Sequence, residues 1–68
     1  MLDIFKPKVN IVIEYKYRDG MTWRAHVMDM QEKELHKTLW SCSPNDIQTD
    51  AQNWARDNGY SVKQVIQE

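Results

Sequence analysis

The stretch YKYRDGMTWR, Tyr15 to Arg24, carries the turn from which the rest of the chain can be read. Before the turn, residues 9–17 (VNIVIEYKY) are rich in β-branched and aromatic side chains and lack glycine and proline, which marks a strand. After it, residues 21–30 (MTWRAHVMDM) mark a second strand. A two-residue turn would set Lys16 opposite Trp23 and Glu14 opposite Ala25, mixing charged and apolar groups on both faces. A three-residue loop of Arg18, Asp19 and Gly20 sets Tyr17 opposite Met21, Tyr15 opposite Trp23, Ile13 opposite Ala25 and Ile11 opposite Val27. That face is wholly apolar. The other face pairs Lys16 with Thr22, Glu14 with Arg24 and Val12 with His26. Glu14–Arg24 is then a complementary pair worth about 0.2–1 kcal/mol. A type I turn followed by a residue of positive φ has this loop length, and Gly20 falls at that position. A slip of one residue would invert every side chain, so the three-residue loop is the expected closure.

Outward from the hairpin, Pro7 sits just before the first strand, outside any ladder. Residues 31–34 (QEKE) form a polar connection, and residues 35–42 (LHKTLWSC) read as a third strand. Lys33, His36 and Lys37 give it the charge of a protected edge. Leu39 and Trp40 are adjacent and point to opposite faces, so only one of them can be core. Ser43-Pro44-Asn45-Asp46 is a helix start: Ser43 can cap free amides, Pro44 is pre-set for the first helical position, and Asp46 suits the positive end. Ile47, Ala51, Trp54 and Ala55 make one apolar stripe. Asn58-Gly59-Tyr60 ends the helix, with Gly59 placed for a left-handed cap and Tyr60 able to fold back. Residues 61–67 (SVKQVIQ) form a last short strand. A right-handed crossover returns that strand parallel to the first, giving strand order 3-2-1-4. The expected fold is therefore a single α+β domain over residues 1–68, β-β-β-α-β, with a mainly antiparallel four-stranded sheet and one helix packed on one face.

One helix covers one face. Ile11, Ile13, Tyr15, Trp23, Ala25 and Val27 are expected beneath Ile47, Ala51 and Trp54. The opposite face, with Asn10, Val12, Glu14, Lys16, Thr22, Arg24, His26, Met28 and, if Leu39 is the inward one of the pair, Trp40, is left to water or to a partner. Its adaptable methionines and its tryptophan make Val12, Arg24, His26, Met28, Met30 and Trp40 the expected partner-binding residues. Asp46 and Asp50, four apart on the helix, offer an acidic patch for a basic protein surface.

Composition sets the outer bounds. Sixty-eight residues make one small domain, whose core rarely yields more than about 3–5 kcal/mol, and self-association is one way to complete it. The single cysteine, Cys42, excludes an internal disulfide and fits a reducing, cytoplasmic setting. MLDIFKPKV lacks the apolar region of a signal peptide, and no run reaches membrane-spanning length. The net charge of −1 is a poor footprint for binding a phosphate backbone. Residues 1–40 carry seven Lys or Arg against six Asp or Glu, and residues 41–68 two against four, so the acidity lies in the helical half.

No catalytic, metal or cofactor residues are assigned. His26, His36 and Cys42 lack zinc-ligand spacing, and ordinary surface histidines are the simpler account. Cys42 with a histidine could form a nucleophile–base pair, helped by the adjacent helix N-terminus, but a small, partly buried apolar side chain is the simpler reading. Tyr15, Tyr17 and Trp23, flanked by Lys16, Arg18 and Arg24, could stack single-stranded bases, although core packing accounts for them too. The expected function is a non-enzymatic protein–protein interaction module, binding a larger protein or a second copy as a homodimer. Size-class analogy places it with inhibitors and modulators of phage or mobile-element type. The alternative is a single-stranded nucleic-acid binder using the hairpin.

Overall fold

The computed structural model describes residues 6–17 and 20–67. Strands β1 (Lys8–Tyr17), β2 (Met21–Asp29) and β3 (Glu34–Lys37) precede helix α1 (Pro44–Asp57) and strand β4 (Ser61–Gln67). They form one sheet in the order β3-β2-β1-β4. The sheet is mixed, since β1 pairs antiparallel with β2 and parallel with β4.

The hairpin closes in the register that apolar alternation dictates. Tyr17 pairs with Met21, Tyr15 with Trp23, Ile13 with Ala25 and Ile11 with Val27. Gly20 has φ of 119°, a conformation open to glycine and strained for other residues. The turn residues Arg18 and Asp19, like residues 1–5 and Glu68, lie outside the described residues.

Val9, Ile11 and Ile13 of β1, Ala25 and Val27 of β2, and Ile47, Ala51 and Ala55 of α1 form the buried core. Trp23 and Trp54 pack on its margin, half-buried. Tyr15 departs from the expected core: it is 51% exposed, and Tyr17 is 76% exposed. The reason is length. A ten-residue strand spans about 33 Å, whereas a fourteen-residue helix spans about 21 Å, so the hairpin runs out from under its cover.

The helix starts without its expected side-chain cap. Ser43 is extended, as an N-cap should be, but its hydroxyl makes no capping hydrogen bond. Pro44 fills the first turn, where its missing N–H costs nothing. The C-terminus is a full Schellman closure: the Tyr60 amide donates to Ala55 O at 2.8 Å and the Gly59 amide to Arg56 O at 3.2 Å, with Gly59 at φ 82°. Tyr60 then folds back onto Trp54, ring centroids 5.9 Å apart.

The third strand is shorter than residues 35–42. Pairing with β2 covers Glu34–Lys37, with a register shift between Val27 and Met28 that leaves Leu35 as an extra residue, and a single bridge then joins Trp23 to Ser41. Between them the Thr38 amide donates to Ala25 O, and Thr38 Oγ1 accepts the Ala25 amide at 3.0 Å in place of a carbonyl. Thr38 is therefore buried despite being polar. Two residues, Leu39 and Trp40, are left opposite Arg24, which is the arithmetic of a β-bulge.

A candidate recognition face

The bulge decides between Leu39 and Trp40. Trp40 lies on the face away from the helix, with Lys16 Nζ 4.4 Å and the Arg24 guanidinium carbon 4.5 Å from its ring centroid. Neither residue enters the core: Leu39 is 88% exposed at the sheet edge. Each cation–π contact is worth about 0.5–1 kcal/mol at a partly solvated site. Together they hold the indole against the sheet.

Beyond Trp40 the face is a continuous polar network. Arg24 Nη2 donates to Glu14 Oε1 at 3.1 Å, and the same oxygen accepts from His26 Nε2 at 2.8 Å. His26 Nδ1 meets Glu34 Oε1 at 2.5 Å. The two imidazole nitrogens thus each meet a different carboxylate. The His26 hydrogen bond, seconded by Arg24, holds the Glu14 carboxyl below its ordinary value, and the His26 hydrogen bond does the same for Glu34. The network thus links three of the four strands: β1 through Glu14, β2 through Arg24 and His26, and β3 through Glu34.

Val12 faces His26 across the hairpin, and Asn10 faces Met28, so Val12, Arg24, His26 and Met28 do share this face. Trp40 joins them. Met30 does not. It lies past the end of β2, in the turn where Asp29 Oδ1 accepts the amides of Gln31 and Lys33, and it borders a depression with Pro7, Lys8 and Tyr60. Asp46 and Asp50 come together with Trp40 in a different way: with Thr38, Leu39, Ser41 and Ile47 they line a cleft of about 270 Å³ between the bulge and the helix.

Sequence reasoning missed the exposure of Tyr15, the His26–Glu34 contact and the cleft, whereas the exposure of Tyr17 follows from its place near the hairpin tip. The first two depend on how far the helix reaches and on the register of a short strand. The cleft depends on the bulge, for which Thr38 in an otherwise edge-like strand is the only local sign.

Among the described residues, no group of three His, Cys, Asp or Glu side chains is placed to hold a metal ion. Cys42 is exposed rather than partly buried, and makes no hydrogen bond through its side chain. No helix among the described residues is long and apolar enough to cross a membrane. Comparison of the chain with protein-family models, with curated proteins and with solved structures returns no match.

Proposed function

We propose that this chain is a small non-enzymatic module that binds another protein through the sheet face opposite the helix. One observation carries the reading: Trp40 is fixed on an uncovered face between Lys16 and Arg24. Tryptophan and arginine are frequent binding anchors, and an anchor already held in place loses less side-chain entropy on docking. Val12 and Met28 add half-buried apolar surface beside it. The neighbouring cleft extends the same surface to Asp46 and Asp50, which suits a partner whose rim is basic. Inhibition or modulation of a larger protein is the role such a module fills.

The face is poorly suited to nucleic acid, because Arg24 already meets Glu14 and the His26 ring contacts the carboxylates of Glu14 and Glu34. The hairpin keeps a second reading alive on a specific observation. Tyr15 and Tyr17 are exposed, so they are available to stack on unpaired bases.

Affinity capture with the wild-type chain and with Trp40→Ala, followed by reconstitution of the purified pair, tests the first reading. The expected result is a partner retained by wild type and lost by the variant, with unchanged far-UV circular dichroism. A partner held equally by both chains overturns the assignment to this face. A gel shift at low salt tests the second, where electrostatic attraction is strongest. Absence of any shift removes it.

A further inference from the structure

The two edges of the sheet are unlike. The β3 edge has four residues, carries Glu34, His36 and Lys37, shifts register at Leu35 and is interrupted again by the bulge at Leu39 and Trp40. Short length, charge and a bulge are the devices by which an edge avoids pairing with another strand. The β4 edge has seven residues, Ser61–Gln67, contains no proline and carries one charge, Lys63. Its pairing with β1 shifts register between Val9 and Asn10, which leaves Lys63 as an extra residue in β4 itself, and the run 64–67 beyond it pairs regularly with β1.

β4 carries three apolar side chains, Val62, Val65 and Ile66, none of them fully buried. None of the core residues comes from it, and Val65 and Ile66 are 37% and 38% exposed. Val65 pairs with Ile11 and so lies on the helix side, while Ile66 pairs with Val12 and lies on the open side. A partner resting on one face would cover one of these side chains. A strand added at the edge gives both a cross-strand neighbour at once, and satisfies the outward backbone groups as well.

We infer that β4 is a self-association edge, at which two copies of this chain pair antiparallel about a two-fold axis. The strand is self-complementary. Centred on Val65, the pairing sets Val65 against its symmetry mate on the helix side, Ile66 against Gln64 on the open side, and Lys63 against Gln67. No like charges are opposed. The two Lys63 side chains stand four strand positions apart, about 13 Å, beyond the screening length of about 8 Å at physiological salt. The product is one continuous eight-stranded sheet with both helices on the same side, and the isologous contact closes at two copies. It also adds partners for Val65 where the chain's own helix gives little cover. The Trp40 face stays uncovered, so this inference and the proposed function stand or fall separately.

Sedimentation equilibrium over a concentration series, with the full chain, is the test. The expected result is a monomer–dimer equilibrium between 8.1 kDa and twice that mass. Val65→Lys and Ile66→Lys, both at exposed positions, should each weaken the dimer about tenfold or more by placing a buried-edge charge at the seam. Trp40→Ala should leave it unchanged. In a Cys42→Ser background, Val65→Cys should oxidise to a covalent dimer, because directly opposed strand residues lie within disulfide range. Lys63→Cys, displaced from the axis, should not. A chain that stays monomeric at its highest soluble concentration overturns the inference. So does a dimer that both lysine variants leave intact.

Discussion

Trp54→Ala is the most demanding test of how this fold is held together. The Trp54 ring stands in the middle of a column, stacked on His36 of β3 at 4.8 Å with 5° between planes and on Tyr60 at 5.9 Å with 11°. It also packs on the core margin while remaining half-buried. Crediting the ring with about 100 Å² of lost contact, below the aromatic average because of that exposure, gives about 2.5 kcal/mol at about 25 cal/mol per Å². The two stacks add about 0.5–1.5 kcal/mol each beyond area. The total, about 3.5–5.5 kcal/mol, matches or exceeds what a core of this size supplies. Trp54→Ala should therefore be largely unfolded at 25 °C, whereas Trp54→Phe, which keeps a ring in the column, should lose only about 1–2 kcal/mol. Urea unfolding followed by far-UV circular dichroism measures both. If Trp54→Ala unfolds within about 1 kcal/mol of wild type, the column is peripheral and the reasoning fails.

Other consequences can be read from single sites. Thr38→Val keeps the shape but leaves the buried Ala25 amide without its Oγ1 acceptor, so stability should fall by about 1–3 kcal/mol; an unchanged urea midpoint would show that the bulge does not depend on this hydroxyl. Gly20→Val meets open space but carries φ of 119°, so the loss is backbone strain of about 1–3 kcal/mol, seen as a lower Tm; a melting curve superimposable on wild type would refute the three-residue closure. Glu14 and Glu34 have carboxyls lowered in the folded state from an ordinary 4.5. Their contribution is complete above that value and is lost as pH falls through the lowered folded-state values. Acid titration of urea stability should therefore slope downward below about 4.5, and the slope should flatten in Glu14→Gln/Glu34→Gln. Equal slopes would mean that the His26 contacts exert no linkage.

What the sequence made legible was the hairpin register set by alternation and the two ends of the helix, though not the side-chain cap expected of Ser43. Ile11, Ile13, Ala25 and Val27 fix the hairpin register because any slip buries Glu14 or Lys16. Pro44 and Gly59 fix the ends of the helix because one lacks an amide and the other tolerates positive φ. What stayed hidden was reach and interruption. Alternation says which side Tyr15 faces, not whether anything lies over it there. β-propensity ran residues 35–42 together as one strand. It could not register that Thr38 would supply an acceptor through its side chain, end the ladder and release Trp40 onto the open face.

These outcomes share one geometric cause. A fourteen-residue helix about 10 Å wide and about 21 Å long covers part of a sheet whose four strands span about 14 Å across and whose longest strand runs about 33 Å. The uncovered remainder is divided three ways. The hairpin arm exposes Tyr15 and Tyr17, the β4 edge exposes Val65 and Ile66, and the opposite face is filled by Glu14, Arg24, His26 and Trp40 binding one another. Only the third region supplies its own partners. A surface whose charged groups largely meet one another can stay wet and still present a fixed indole, although Asn10 Oδ1 and Arg24 Nε on it have no hydrogen-bond partner, whereas the outward side of an edge strand gains backbone partners only from another strand. The same shortage of helix thus separates the two contacts proposed for this small chain: self-pairing along β4, and recognition of a different protein across the Trp40 face.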